Sequence, residues 1–548
     1  MLYCYEAPLV IIHMIIGHEK ERGNRMDETV DNGNKKKGFS KGLIAFIVAI
    51  LVIGGGVGAY VMLNISTKEK YFLAEKKSFE FMTDKLEERY QPELDWNEQS
   101  KKKPTETAFT LSGEYNDPYG GGFGAMGPEQ FINNSTLEIK TGVDMEKEQI
   151  AAKLKASVGD IEVDDINLYV NSNEIALGLP FVDELLQVKG DDIGKMLHEM
   201  DPEAFTGEED INLENIFNGN NGLLTDEDME YYKEAYIDMI YEELPEEAFE
   251  SSDEKIKVND TSVKTEKISL QLSEEELKGI ITKVLDKMEK DEKLKDLIKE
   301  QIAIRGGIDN DEIQELLTDF ETGIADAKEE LKDFKIPDGL TSTIWVKDKL
   351  IVQRDFNLEI GPTEQDLVAF TIKGSQLLED DSQVFDYDLS YTDEYDEGTI
   401  NISGDLAWKD NKATDSIKLT AEDTVLGYEG SETLKDGKRD FKRTFSYEDP
   451  YDDGGSLIWE GNASYDKDKM NAEHNLSIES ADLGQDVFAL QVAVDGKTTK
   501  NVEMPKDANV KDLGSMSADD IMKYFEEDVA PNFQQWLMEK IGVGGLGL

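Results

Sequence analysis

Between about residues 341 and 495 the chain alternates apolar and polar residues with a period of two, run after run. Examples are Phe385, Tyr387, Leu389, Tyr391; then Ile400, Ile402, Leu406, Trp408; then Phe441, Phe445, Tyr447; then Phe488, Leu490, Val492, Val494. Successive side chains of a strand point to opposite faces, so this pattern commits the segment to an antiparallel sheet with one apolar and one wet face. Asp436-Gly437 and Asp453-Gly454-Gly455 are turn signals between runs, and their spacing of roughly 10 to 15 residues predicts nine or ten strands. A sheet of this size curls, and its apolar face needs a cover. The expected fold class is therefore α+β: a large curved antiparallel meander over 341–548 that closes with the helix SADDIMKYFEEDVAPNFQQWLMEKIGV, its apolar face covered by the helices at 226–333 and 517–541.

Upstream, residues 183–340 change to a period of 3.6 and read as an acidic helical region, interrupted by a short strand, VKTEKISLQL, just before Ser273. Thr225 with Asp228, and Ser273 with Glu276, mark two helix starts as capping pairs. Residues 64–182 read as a membrane-proximal α+β lobe. Here KEKYFLAEKKSFEFMTDKLEERY is a helix, Phe109, Leu111 and Tyr115 begin the strands, MEKEQIAAKLKASV is a second helix, and DDINLYVNSNEIALGLPF is a hairpin. TIWVKDKLIV echoes NLYVNSNEIAL, which suggests two similar lobes.

Gly42 to Leu63, including Leu43, Ile44, Phe46 and Leu51, carries no charge and is long enough to cross a bilayer as one helix. Lys35, Lys36, Lys37 and Lys41 precede it, so the positive-inside tendency places residues 1–41 as a cytoplasmic lead and the rest outside the cell membrane as a single-pass ectodomain. Met26 is read as the start, because residues 1–25 share no pattern with the rest of the chain. A cleaved signal peptide with Gly42 to Ile53 as its apolar region is the alternative. Cys4 is the lone cysteine, so nothing downstream can form a disulfide or a Cys-ligated zinc site.

The chain of 548 residues has a formal net charge of −60. The first 63 residues hold seven basic and six acidic residues, so the remainder carries −61. Such a field argues against nucleic acid as a partner. Its basic residues are 51 Lys and 7 Arg. Motifs for chemistry do not assemble. Gly122, Gly124 and Gly127 spell a GxGxxG between Pro118 and Pro128, without the strand and helix the fingerprint needs. Asp449, Asp453, Gly454 and Glu460 fit part of a calcium-loop template, but Tyr451 occupies a ligand position and strands flank it. Ser464 with Lys467 and Lys140-Thr141-Gly142 occur in reversed order for a serine enzyme of the SxxK type. His198 and His474 are the histidines beyond the apolar run. The reading is a protein that is not an enzyme and uses no cofactor or metal.

The apolar run, the YFLAEKKSFEF helix and the acidic, cysteine-free remainder resemble uncharacterised signal-anchored extracytoplasmic proteins of Gram-positive, Bacillus-like bacteria. The meander, with strands such as IWVKDKLIVQRDFNLEI, is similar in outline to half-barrel lipoproteins that carry lipids. The first resemblance brings no assigned function and the second is one of architecture alone. Curl of so large a sheet, with helices in its concave side, leaves a groove, and the reading is that it binds an apolar or lipid ligand, or a cell-envelope protein partner, with Trp345, Phe356, Trp408 and Trp459 as candidate lining. The alternative is a scaffold or sensor subunit of a membrane complex, and further off a carboxylate-dependent envelope hydrolase.

Overall fold

The computed structural model describes residues 65–541 except 117–127, 160, 201–206, 208–212, 218–224, 259–260, 305–309, 395, 451, 481–483, 485–486 and 507–508. In chain order the elements begin with helices α1 (Thr67–Arg89) and α2 (Gln91–Lys102). Strands β1 (Thr105–Tyr115), β2 (Ser135–Asp144), β3 (Gln149–Val158), β4 (Ile161–Asn171), β5 (Glu174–Gly178) and β6 (Leu185–Lys189) come next, then α3 (Gly190–Met200), α4 (Asp226–Tyr232) and α5 (Asp238–Glu243). After β7 (Phe249–Val258) and β8 (Thr261–Leu272) come α6 (Glu274–Lys290), α7 (Glu292–Ile304) and α8 (Asn310–Asp333). The meander is β9 (Leu340–Lys347), β10 (Leu350–Ile360), β11 (Val368–Glu379), β12 (Ser382–Thr392), β13 (Glu397–Lys409), β14 (Lys412–Ala421), β15 (Thr424–Lys435), β16 (Lys438–Asp449), β17 (Asp452–Tyr465), β18 (Lys469–Ser480) and β19 (Phe488–Thr498). A short β20 (Val510–Asp512) and helices α9 (Ala518–Tyr524) and α10 (Ala530–Ile541) complete it.

These elements fall into two compact units. The first draws on the chain up to Arg89, on Leu224–Ala407 and on Ile417–Thr424; the second on Tyr90–Leu223, Trp408–Ser416 and Val425–Leu548. In the first, β7 to β13 pair with their chain neighbours as an antiparallel meander. The register puts Leu270, Leu272, Leu340, Ile344, Phe356 and Leu358 on one face, where they meet α1, α6 and α8 in one buried cluster. Helix α6 fits because Leu277, Ile280, Ile281, Val284, Leu285 and Met288 recur at helical spacing and are buried. The capping boxes Thr225/Asp228 and Ser273/Glu276 are both formed. Phe72 anchors α1, with its ring 5.2 Å from Tyr241 and 5.9 Å from Phe249. Arg354 of β10 donates to both Glu75 oxygens at 2.6 and 2.5 Å.

In the second unit the order is β15-β16-β17-β18-β19-β1-β2-β3-β4-β5-β6, antiparallel throughout, with β20 parallel to β6. The step that the alternation does not announce is β19 to β1. Thr105 pairs with Thr498 and Tyr115 with Phe488, so two stretches of sequence nearly 400 residues apart share one ladder.

The expected architecture of one transmembrane helix plus an α+β ectodomain is corrected. Strands dominate the described chain, twenty of them, and they extend into regions read as helical. MEKEQIAAKLKASV is strand β3 for most of its length, because Ile150, Ala152, Leu154 and the residues between them continue the ladders of β2 and β4, and cross-strand packing overrides helix propensity. The acidic region 183–340 contains β6, β7 and the start of β9 beside its helices, in addition to β8, which covers the strand expected at VKTEKISLQL. No described helix is long and apolar enough to cross a membrane; the two longest, α1 and α8, carry charges along their length. The run Gly42 to Leu63, with Leu43, Ile44, Phe46 and Leu51, lies outside the described residues. The signal anchor and the single-pass placement in a cell membrane are accordingly withdrawn.

Candidate functional site

The second unit's sheet presents two unlike faces, set residue by residue by its register. One face carries the rows Ser112, Gln491, Asn475, Glu460, Lys442, Ser431 and Thr110, Ala493, Glu473, Asn462, Asp440, Thr433, each neighbour directly opposite the next across β1, β19, β18, β17, β16 and β15. Together with Glu114, Ala489, Lys412 and Thr414 these residues line an open trough of about 1180 Å3. Seven strands contribute, so the sheet curls toward this polar side. Lys442 Nζ lies 3.7 Å from Glu460 Oε2, Asn462 Nδ2 donates to Glu473 Oε2 at 3.0 Å, and Ser112 Oγ to Gln491 Oε1 at 3.4 Å. Among the described residues, Asn475 Oδ1 is a buried acceptor without a donor.

The other face is apolar and half covered. Where β16 to β19 and β1 end near Lys438, Tyr465, Met470, Gly496 and Thr105, helix α2 lies across them. Trp96 approaches the Gly496 backbone so closely that a Cβ there would sit 3.0 Å from its ring. Glu93 of α2 accepts from Arg439 at 2.7 and 3.1 Å, and Arg439 also donates to Glu432 at 2.8 Å. The side chains of Arg439 and Glu432 are 2% and 1% exposed. Arg443 shares Glu432 at 3.4 Å, and its guanidinium stacks 4.6 Å from the Phe441 ring and 4.7 Å from Trp459. Planar, weakly hydrated guanidinium groups suit such buried, stacked and bidentate positions. The signal was present in the sequence: in a chain with 51 Lys and 7 Arg, two of the few arginines lie four residues apart on one strand face.

Trp459 Nε1 donates to His474 Nδ1 at 3.2 Å. That bond requires the neutral imidazole, and burial together with the positive Arg443 holds the pKa of His474 below its ordinary value. Because the folded pKa is depressed, the contribution of His474 to stability is complete above the unfolded value of about 6.5 and is lost as the pH falls through the folded pKa. We expect the stability gap between the native chain and His474→Gln to narrow below about pH 6.5, read as the denaturant midpoints of both proteins between pH 7.5 and 5.5. A gap independent of pH would contradict this.

Toward the opposite strand ends the apolar face is open. Leu426 faces Tyr447, Tyr428 faces Phe445, Phe445 faces Leu457, Leu457 faces Ile478, and Phe488 next to Ile478 faces Tyr115. Leu426, Phe445, Tyr447, Leu457, Ile478 and Phe488 are each 37–47% exposed.

The four aromatic residues expected to line a groove are not brought together. Phe356 is buried under the helices of the first unit, while Trp345 packs with Val258, Val263 and Val352 in a separate cluster and donates to Glu254 at 3.1 Å. Trp408 ends β13, and Trp459 serves the Arg443 stack. None lines the trough. The Asp449 to Glu460 stretch is the β16–β17 hairpin, with Gly454 at φ 63° where a turn needs it. Lys140 pairs with Glu106 at 3.0 Å, and the GxGxxG stretch lies outside the described residues. Among the described residues no group of three or more His, Cys, Asp or Glu is placed to hold a metal ion.

No protein-family model matches the chain, and no curated protein matches it. Among solved structures it is similar to Salmonella typhi OmpF in complex with daunomycin, at 7% identity and a TM-score of 0.21, covering 72% of this chain and 97% of that one. It is similar to Pseudomonas aeruginosa OccK5 (OpdH) at 6% identity and a TM-score of 0.22, with the same coverage. A BenF-like porin from Pseudomonas fluorescens Pf-5 matches at 7% identity and a TM-score of 0.22, again over 72% and 97%. Superpositions at these scores assign neither a fold family nor an activity, and the chain is placed by its own geometry.

Proposed function

We propose that the protein is a non-enzymatic binding protein that receives an apolar ligand, of the acyl-chain type, on the uncovered half of the second unit's apolar face. The observation that carries this reading is the unbroken row Leu426, Tyr447, Phe445, Leu457, Ile478 and Phe488. Scattered apolar residues on a surface need no explanation, but a contiguous patch does. Burial of such a patch gains about 25 cal/mol per Å2 of apolar surface removed from water. Helix α2 shows how this face is satisfied where it is covered, through Trp96 and the Arg439 ion pairs. The charge of −60 disfavours adhesion to an anionic bilayer.

Titration with a fluorescent long-chain fatty acid tests this. Saturable binding is expected, and Phe445→Ser with Leu457→Ser should weaken it at least tenfold, since each removes a large apolar contact worth about 1.5–3 kcal/mol when fully buried. Unsaturable binding, or binding unchanged by the pair, would refute the assignment. Recovery of a protein partner in place of the fatty acid at the same residues would move the protein to the scaffold class.

A further inference from the structure

The trough on the opposite face has features that the apolar row does not explain. Its two polar rows place one hydrogen-bonding side chain on nearly every strand. Neighbouring strands lie 4.7–4.9 Å apart, so the row from Ser112 to Ser431 runs for roughly 24 Å across six strands. An extended peptide laid along it would advance 3.2–3.4 Å per residue and fall out of step with that spacing. A β-linked polysaccharide advances by close to one inter-strand spacing per sugar and stays in step.

The chemistry agrees with the spacing. Amides and hydroxyls at Gln491, Asn475, Asn462, Ser112, Thr433 and Ser431 are interspersed with carboxylates at Glu460, Glu473 and Asp440. Two carboxylates at the centre are already engaged within the trough: Lys442, 3.7 Å from Glu460, answers part of its charge, and Glu473 accepts from the neutral Asn462 amide at 3.0 Å; both keep free acceptor capacity for ligand hydroxyls. Asn475 Oδ1, in the middle of the first row, has no donor among the described residues, and buried acceptors are normally satisfied. Rotation of this amide toward the trough would let a ligand hydroxyl or amide supply the missing bond.

From the spacing, the amide and hydroxyl lining and the donorless Asn475, we propose that the trough is a binding site for a linear, uncharged, hydroxyl-rich polysaccharide, running across strands β1, β19, β18, β17, β16 and β15. The site is independent of the apolar row and lies on the other face of the same sheet.

The test is ligand-observed magnetisation transfer on the full chain with β-1,4-linked N-acetylglucosamine oligomers of two to eight sugars. Binding should strengthen with length up to five or six sugars and then level, matching six strands. Asn475→Val together with Gln491→Val, residues that keep the strand propensity, should weaken hexamer binding by about tenfold, the equivalent of one or two lost hydrogen bonds, while leaving the thermal midpoint within a few degrees. Leu457→Ser, on the other face, should leave hexamer binding unchanged and serves as the folded control. The proposal is overturned if no oligomer binds, if the hexamer binds equally well to the Asn475/Gln491 variant, if Leu457→Ser abolishes it, or if hexalysine binds the trough residues and the sugars do not.

Discussion

Replacing Arg439 by alanine is expected to destabilise the second unit by about 3–5 kcal/mol, the cost of breaking a buried ion pair from one side. The reason is geometric. Arg439 and Glu432 have side chains 2% and 1% exposed, so removal of the guanidinium takes the nearest cation from the Glu432 carboxylate in a nearly dry site, where Arg443 at 3.4 Å and the Tyr90 hydroxyl at 3.3 Å are longer contacts. It also removes the bonds to Glu93, and with them the charged fastening of α2. The denaturant midpoint should fall, and amide exchange should accelerate in β15 to β17 and in α2. A double change, Arg439→Met with Glu432→Gln, should recover part of the loss, because it removes the stranded charge rather than creating one. If the double variant is no better than Arg439→Ala alone, the network contributes through packing and not through charge.

The second large effect concerns the first unit. Phe72→Ala should cost about 3–5 kcal/mol, the range for truncating a buried phenylalanine where the surroundings collapse only in part. Phe72 is 1% exposed and meets Tyr71, Tyr241 and Phe249 edge-on at 5.3, 5.2 and 5.9 Å. Since Tyr71 and Phe72 are the main apolar contacts that hold α1 on the sheet, exchange along the whole of α1 should rise together with the fall in midpoint. Phe79→Ala on the same helix, 41% exposed, should change stability by less than about 0.5 kcal/mol. Equal effects from the two would mean that α1 is not docked through its Tyr71–Phe72 end.

The meander was legible because its signal is local. Alternation such as Phe385, Tyr387, Leu389, Tyr391 depends only on which face of a pleat each residue occupies, and it survives in the structure as β12 paired with β11 and β13. The helix starts at Thr225 and Ser273 were legible for the same reason, since a capping box closes within four residues. The segment MEKEQIAAKLKASV misled because its Ala, Lys and Glu favour helix, whereas β2 and β4 on either side offered it ladder hydrogen bonds and apolar neighbours.

The site was harder to read. Aromatic residues were the natural candidates for a groove, yet Trp345, Phe356 and Trp459 were drawn into cores and a cation–aromatic stack. The residues that form the trough are ordinary polar strand residues that no motif distinguishes. Their significance comes from cross-strand register, which places Ser112 beside Gln491, 379 positions later in the chain.

Sequence alone thus determined the strand periodicity, the helix caps, the absence of cysteine chemistry beyond Cys4 and the acidic surface, because each depends on residue type and near neighbours. The tertiary structure decided the pairing of β1 with β19, the direction of curl that makes the polar side the trough, and how far α2 covers the apolar face. These three depend on contacts between residues hundreds of positions apart, where loop closure and side-chain packing select one partner among many strands of nearly equal propensity.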